Sequence, residues 1–493
     1  DSHYNDINDY FNLMEPIDRG NDFVEFIKNN KDKKFCVVGD YDCDGIMATS
    51  IMSYGLILCG CDVTFTVPDR FTDGYGMHKH QVDMAIANNA DVIVTVDNGI
   101  VANNEIDYAH SKGLKVLITD HHLPQGENHG DVVIDPHYNN DNFKGISGAT
   151  VALKLVYLLQ KEFGFDEKFL FDFATMAYFT VHSDVMPMLK ENRILNQIVE
   201  NRINYEVKVS GSFINRLANL VEFYNPDHTS DYVLNLDGVY RSFTKDNVDF
   251  YFVPVINACN RVIGDVTDLV YDIMSLFVGD YNGIPHLYSD INKKRKFMKT
   301  ELVRKHKEDE TTSAVVEALQ PDMWDDNYSG IVGLVASDIV DSENKPALIG
   351  IDNINSNAII RFSGRSVSGF DLYKALTEIK KEHPELSLNF GGHSEALGAS
   401  CLKNKIPDLQ KYLSDKFEAA GVDVTEQTYF ELTNVNEIKN TYIRLWPFGN
   451  KFEFPKFYIE DNVQFLNNDK RVFTLKSLGQ YNTIKFFDTV TKN

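Results

Sequence analysis

Short apolar runs that stop at an aspartate dominate the first 135 residues. FCVVGD (35–40) leads into an acidic loop, and DVIVTVD (91–97), LKVLITD (114–120) and DVVID (131–135) end on Asp97, Asp120 and Asp135. Apolar runs without alternation suit strands buried on both faces. DVTFTVP (62–68) adds a further strand, and GIMATSIMSYGLILCG (45–60) and SGATVALKLVYLLQKEF (147–163) read as helices. This alternation predicts an α/β domain with a parallel sheet. Ligands of such sheets bind at the carboxyl ends of the strands, so these aspartates are expected to converge at one crevice.

At 493 residues the chain is too long for one core, and its length suggests roughly three domains. The parallel-sheet domain is placed at 1–200, with a mixed helical region at 201–288 completing it. Residues 289–319 contain no Pro or Gly and many good helix formers, so one long connecting helix is expected over 289–320. A smaller α/β domain follows at 321–420. Short aromatic and β-branched runs such as TYIRLWPF (441–448) and RVFTLKSL (471–478) predict a small β-barrel at 425–493.

Composition narrows the function. A net charge of −24 argues against a protein that coats nucleic acid nonspecifically, while leaving room for a local basic groove. No apolar run approaches the ~20 residues of a membrane helix, so no membrane partner is expected. The polar, acidic N-terminus carries no secretory signature, and the six cysteines read as free thiols in a reducing cytoplasm.

Four clusters carry the chemistry: Asp40, Asp42 and Asp44 in GDYDCDG; Asp97 in VDNG; Asp120-His121-His122; and Asp184 in His-Ser-Asp. Each alone has an ordinary reading, as a solvated turn, a helix cap or a packed histidine. A calcium loop would need Glu at its twelfth position, where Ile51 or Ser53 stands instead. Together, carboxylates and imidazoles at strand ends suit Mn²⁺, and less well Mg²⁺ or Zn²⁺.

GDYDCDG, VTVDNGI, ITDHH and SDVMP, in this order, resemble the four motifs of the DHH phosphoesterase superfamily. Within it the chain is similar to the RecJ exonuclease family. VPDRFTDGYG (67–76), SGATVALKL and INACNRVIGD (256–265) match motifs of the first domain. GIVGLVASDIV, FSGRSVSG and NFGGHSEALGAS resemble the companion DHHA1 domain, and LWPFGNKFEFPKF (445–457) the entrance of an OB-like barrel. The resemblance implies a DHH domain joined by the long helix to a smaller DHHA1 domain, then the OB-like barrel. It implies two divalent cations, manganese before magnesium, held by Asp42, Asp44, Asp97, His121 and Asp184, with Asp97 as bridge and Asp40 and His122 as ligands or orienters. His121 must then be neutral, with a carboxylate or carbonyl on its other ring nitrogen. No covalent nucleophile recommends itself.

The implied activity is 5′→3′ hydrolysis of single-stranded DNA to 5′-mononucleotides by activated water. Arg70, Ser363 and Arg365 would grip the 5′ phosphate, with Gly364 and Gly369 allowing close backbone approach. Tyr75 would stack at the mouth, and Arg261 and His393 would touch phosphates near the scissile bond. A single-strand-binding protein or a helicase is an implied partner. The basic stretches 293–296 and 304–307 read first as a solvated helix face. Departures from the family are Asn260 in place of a Gly, His182-Ser183 before the fourth aspartate, and Tyr328-Ser329 where Trp-His is usual. Two alternatives stay open: hydrolysis of short oligonucleotides or cyclic dinucleotides, and a catalytically silent replication scaffold.

Overall fold

The computed structural model describes residues 6–222, 232–235, 238–241, 247–279, 286–323, 325–352 and 359–422. Beyond these it describes only 430–431, 447, 450–451, 457–458, 464–465, 472–477 and 480–485. The chain falls into two compact units, 1–295 with 447–452, and 296–446 with 453–493.

The first unit is built on five parallel strands, β1 (Lys34–Val38), β2 (Asp62–Thr66), β3 (Val92–Val96), β4 (Lys115–Thr119) and β5 (Val132–Ile134), in the order β2-β1-β3-β4-β5. All five residues of β3 are buried, as a central parallel strand requires. Helix α1 (Cys43–Leu58) is buried from Cys43 to Leu56, so its apolar residues run all round rather than along one stripe. Two of its hydroxyls are satisfied within the helix, Thr49 donating to Gly45 O at 2.6 Å and Ser50 to Ile46 O at 2.9 Å. Helices α2 (Gly148–Phe163) and α3 (Lys168–Ser183) pack on α1. The region expected to be mixed belongs to this unit and supplies α4 (Val253–Val262) and α5 (Thr267–Val278), among others. Asn450 returns to it: its carbonyl accepts from Met188 N at 2.7 Å, and its side-chain amide donates to Val185 O. The loop after Asp184 is thereby held.

The second unit carries a mixed sheet. Its strands are β6 (Val315–Leu319), β7 (Ala347–Ile351), β8 (Ile359–Arg365), β9 (Asn389–Gly392) and β10 (Ala396–Leu402), ordered β9-β10-β8-β7-β6. Only β6 and β7 run parallel.

The long connecting helix is shorter than expected. It spans Leu287–Lys305, and the end of the predicted stretch is strand β6, paired with β7 from Val315 opposite Ala347. Asp309 takes the Thr311 N–H at 2.9 Å and its hydroxyl at 2.6 Å, a local turn that competes with helix. The β-branched pair Val315-Val316 is then buried in the sheet, where burial overrides helix propensity. The barrel expected over 425–493 lies mostly outside the described residues. Within them, Val472–Ser477 pairs antiparallel with Gln480–Lys485. No described helix is long and apolar enough to cross a membrane.

His306, just past the connecting helix, lies between two glutamates. Its Nδ1 is 2.6 Å from Glu317, and Nε2 meets the buried Glu343. The hydrogen bond to Glu317 raises its pKa, against burial and with help from Glu343. A raised histidine pKa adds stability that is full below the unfolded value of about 6.5 and fades as pH rises through the folded value. In calorimetry of the full chain, the transition of this unit should fall between pH 6 and pH 9. His306→Gln should lower the stability at pH 6 by about 1–3 kcal/mol and flatten the pH dependence.

Candidate metal centre

All four acidic motifs meet at the carboxyl edge of the parallel sheet. Asp40 lies two residues beyond β1, Asp97 directly after β3, Asp120 after β4, and Asp184 at the end of α3. Strand ends bring these side chains together because parallel strands finish on one edge. Asp42 caps α1, taking Gly45 N at 3.1 Å. Asp44, wholly buried, takes Gly148 N at 2.6 Å and Ala149 N at 2.8 Å at the start of α2. Backbone N–H groups at a helix N-terminus favour a carboxylate.

Asp97 adopts φ +60°. The strained backbone is fixed from both sides: Asp97 N donates to Thr119 O at 3.0 Å, and the Asn98 amide donates to Val38 O at 3.0 Å and Val96 O at 2.8 Å. Gly148 is needed for the same reason, since a Cβ there would stand 2.6 Å from Asp97 Cβ. Gly45 likewise passes close, a Cβ there falling 2.5 Å from Asp40 O.

His121 Nε2 is 3.0 Å from Asp97 Oδ1, 3.5 Å from Asp44 Oδ2 and 3.9 Å from Asp184 Oδ2. Yet His121 Nε2, Asp97 Oδ1 and Asp40 Oδ2 are buried without a hydrogen-bond partner. Three sets of donor atoms lie within 4.8 Å of one another: Asp40, Asp42 and Asp97; Asp44, His121 and Asp184; and Asp97, His121 and His122. Burial, followed by the charges of neighbouring carboxylates, pushes Asp40, Asp97 and Asp184 well above the ordinary carboxylate range. Burial, followed by His122, lowers His121 and keeps it neutral, with a lone pair for a cation. Unpartnered oxygens and a neutral imidazole, aimed at one another in a buried crevice, fit divalent cations.

Asp120 is an orienter and not part of these sets. Its Oδ1 takes His121 N at 2.7 Å and the His122 ring at 2.8 Å, and its Oδ2 takes Ile100 N at 3.0 Å. Burial opposes charge on His122, but the Asp120 hydrogen bond outweighs it and the pKa rises to about 9. The partner anticipated for the second ring nitrogen of His121 is not found among the described residues. The Asp120 grip on the backbone N–H of His121 sets the histidine instead.

Tyr75 and Arg70 stand beside this centre. The Tyr75 hydroxyl donates to Asp97 O at 2.9 Å and touches the His122 ring at 3.0 Å. The Arg70 guanidinium lies over the Tyr41 ring, 5.2 Å from its centroid, and Tyr41 meets Tyr75 edge to face. Arg261 is half-buried near the end of α4. In the second unit Arg365 donates to Ser363 Oγ at 3.2 Å and to Gly364 O at 2.8 Å. Gly333 lies against both side chains: a Cβ there would be 3.0 Å from Ser363 Oγ and 3.1 Å from Arg365 Nη2. Gly369 adopts φ +84°. His393 is exposed in the β9–β10 turn, near Ala396, the sheet partner of Arg365.

Residues 34–180 match the DHH family N-terminal domain, and residues 312–419 match the DHHA1 domain. The chain belongs to the DHH/DHHA1 phosphoesterase superfamily. Among its relatives is the single-stranded-DNA-specific exonuclease RecJ of Bacillus subtilis, 30% identical over 419 residues, covering 83% of this chain and 48% of that protein. RecJ of Dickeya dadantii is 28% identical, covering 78% of this chain and 66% of that one. The chain thus spans about half to two thirds of these relatives. Manganese-bound RecJ from Thermus thermophilus superposes with a TM-score of 0.73 at 22% identity, over 97% of this chain and 68% of that one. A second manganese-bound RecJ gives 0.64 at 23%, over 82% and 95%. These superpositions establish a shared DHH–DHHA1 fold.

Several contributors to the DHH site are absent from the residues anticipated for it. Ser183 donates to Asp184 Oδ1 at 2.8 Å, and Asn257 Oδ1 accepts from Cys43 N at 2.9 Å, bracing the acidic loop. Ser147 caps α2, and its hydroxyl meets Thr180 at 2.6 Å, tying the helix that holds Asp44 to the one that ends in Asp184. A serine directly before a helical pattern is a legible cap signal, and Asn257 and Asn260 are three apart on one helix face. Gly148→Ala should lower Mn²⁺ affinity at least tenfold by forcing Asp97 aside, as read by titration calorimetry.

Proposed function

We propose that the chain is a metal-dependent exonuclease that degrades single-stranded DNA from its 5′ end and releases 5′-mononucleotides. One observation carries this reading: donor atoms from four chain segments converge, and three of them, on Asp40, Asp97 and His121, are buried without hydrogen-bond partners. The chain's likeness to proteins named as single-stranded-DNA-specific exonucleases supplies the substrate.

Two cations, manganese before magnesium, would be held by Asp40, Asp42 and Asp97 and by Asp44, His121 and Asp184. Asp97 would be the bridge, since its Oδ1 also stands 3.0 Å from His121 Nε2 of the second set. Bound there, such cations supply an activated water and offset charge on the phosphoryl oxygens. The protein's own groups do the rest. Asp120 keeps His122 charged and turned toward the crevice, where it can donate to a phosphate oxygen. Tyr75 offers a ring beside the same crevice for a terminal base to stack on. Ser363, Gly364 and Arg365 form an anion cradle in the second unit, where the guanidinium fork suits a 5′ phosphate. Arg70, Arg261 and His393 are assigned to strand phosphates.

The test is Mn²⁺-dependent hydrolysis of single strands of about 30 nucleotides, labelled at either end, with a cyclic dinucleotide alongside. Mononucleotides should appear from the 5′ end. Asp97→Ala should slow the reaction roughly 10³-fold or more, the several kcal/mol that a lost metal contact removes from transition-state stabilisation. Degradation from the 3′ end, or preference for the cyclic dinucleotide, overturns the assignment. Failure to bind or use any divalent cation would favour a scaffold.

A further inference from the structure

Asn260 stands where the family carries glycine, and its side chain is wholly buried on α4. Both ends of its amide are used. Oδ1 accepts from Arg70 Nη1 at 2.9 Å, and Nδ2 donates to Tyr41 O at 3.1 Å. It therefore links the acidic loop, through Tyr41, to the loop that carries Arg70 and Tyr75.

The clamp is neutral, and that decides what it does. Arg70 forms no ion pair with a carboxylate among the described residues; its contacts are the Asn260 amide and the Tyr41 ring. Asp69, its chain neighbour, spends Oδ1 on Phe71 N at 2.7 Å and Thr72 N at 3.0 Å. Asp73 takes Asp69 N and the Gln81 amide, each at 3.0 Å. A carboxylate at position 260 would orient the guanidinium but cancel its charge. An amide orients it and leaves the full charge and most of its five N–H groups for an external anion.

We infer that Asn260 is a positioning residue that holds Arg70 as a preorganised, un-neutralised contact for a strand phosphate, and so sets strand affinity rather than the rate of hydrolysis. This rests on the nuclease reading above.

The test is a double-mutant cycle on the full chain. Binding of a fluorescent 12-nucleotide oligo-dT is measured by anisotropy in Ca²⁺, with KM and kcat in Mn²⁺ and melting temperatures alongside. Arg70→Ala should weaken binding about tenfold, the scale of one charge-assisted hydrogen bond. Asn260→Gly should weaken it several-fold, raise KM and leave kcat within about twofold. The double variant should bind no worse than Arg70→Ala alone, because the amide acts only through the arginine. Asn260→Asp separates charge from structure: it loses the Tyr41 bond as Asn260→Gly does but keeps a partner for the guanidinium, and by cancelling its charge it should weaken binding at least as much as Asn260→Gly.

Losses that multiply in the double variant overturn the inference and leave the nuclease reading intact. So does a fall in kcat at unchanged KM in Asn260→Gly. An Arg70→Ala variant that binds like wild type also overturns it, while labelled-strand hydrolysis still reports on the nuclease reading. Wild type that neither binds nor cuts the strand removes both.

Discussion

Carboxylates gathered in a buried crevice repel one another and lose their water, and the fold has to meet both costs. Burial alone raises the pKa of Asp40, Asp97 and Asp184, and their neighbours raise it further. The protein offsets part of this with fixed N–H donors and leaves the rest unmet, as a site for cations requires. Gly76 N reaches Asp40 Oδ1 at 3.0 Å, and the first N–H groups of α2 reach both oxygens of Asp44. In each case the grip leaves a donor surface facing the crevice, with Asp40 Oδ2 wholly unpartnered. Rigid half-satisfaction of this kind preorganises a metal centre, because a ligand oxygen cannot be turned away to find another partner.

That rigidity depends on backbone packing more than on the ligands themselves. Asp97 occupies a left-handed conformation that a non-glycine residue avoids unless its surroundings impose it. Thr119 O and the Asn98 amide impose it from the sheet side, and Gly148 admits it from the helix side. The start of α2 therefore performs two tasks: it donates to Asp44 and makes room for Asp97. The Ser147–Thr180 hydroxyl pair extends the same support to the helix that ends in Asp184.

The parallel sheet and the convergence of acids were legible because both follow from local signals. Buried parallel strands read as unbroken apolar runs, and aspartates at their ends must share one edge. The orienting shell was less legible, since Asp120, through Ile100 N, and Asn98 and Asn257 act through backbone contacts that join distant segments. The overlong helix shows the opposite failure. Residues 306–319 have helical composition, but pairing of Val315–Leu319 with a strand that begins at Ala347 decides their state. Such pairing is set across sequence distance and leaves no local mark beyond two adjacent valines.

The positions where this chain departs from its family are not vacant changes. His182 places Nε2 2.7 Å from Asn196 Oδ1 and Nδ1 3.1 Å from Asp249, so the residue two before Asp184 is locked from both sides. Ser183 fixes one oxygen of Asp184 and leaves the other toward His121. Tyr328 hydrogen-bonds Glu301 on the connecting helix, inside the second unit. His182 and Ser183 thus each gain a partner that a small apolar residue could not engage. A buried polar group persists only where its hydrogen bonds are met. At His182 and Ser183 those bonds bear on the segment that carries Asp184.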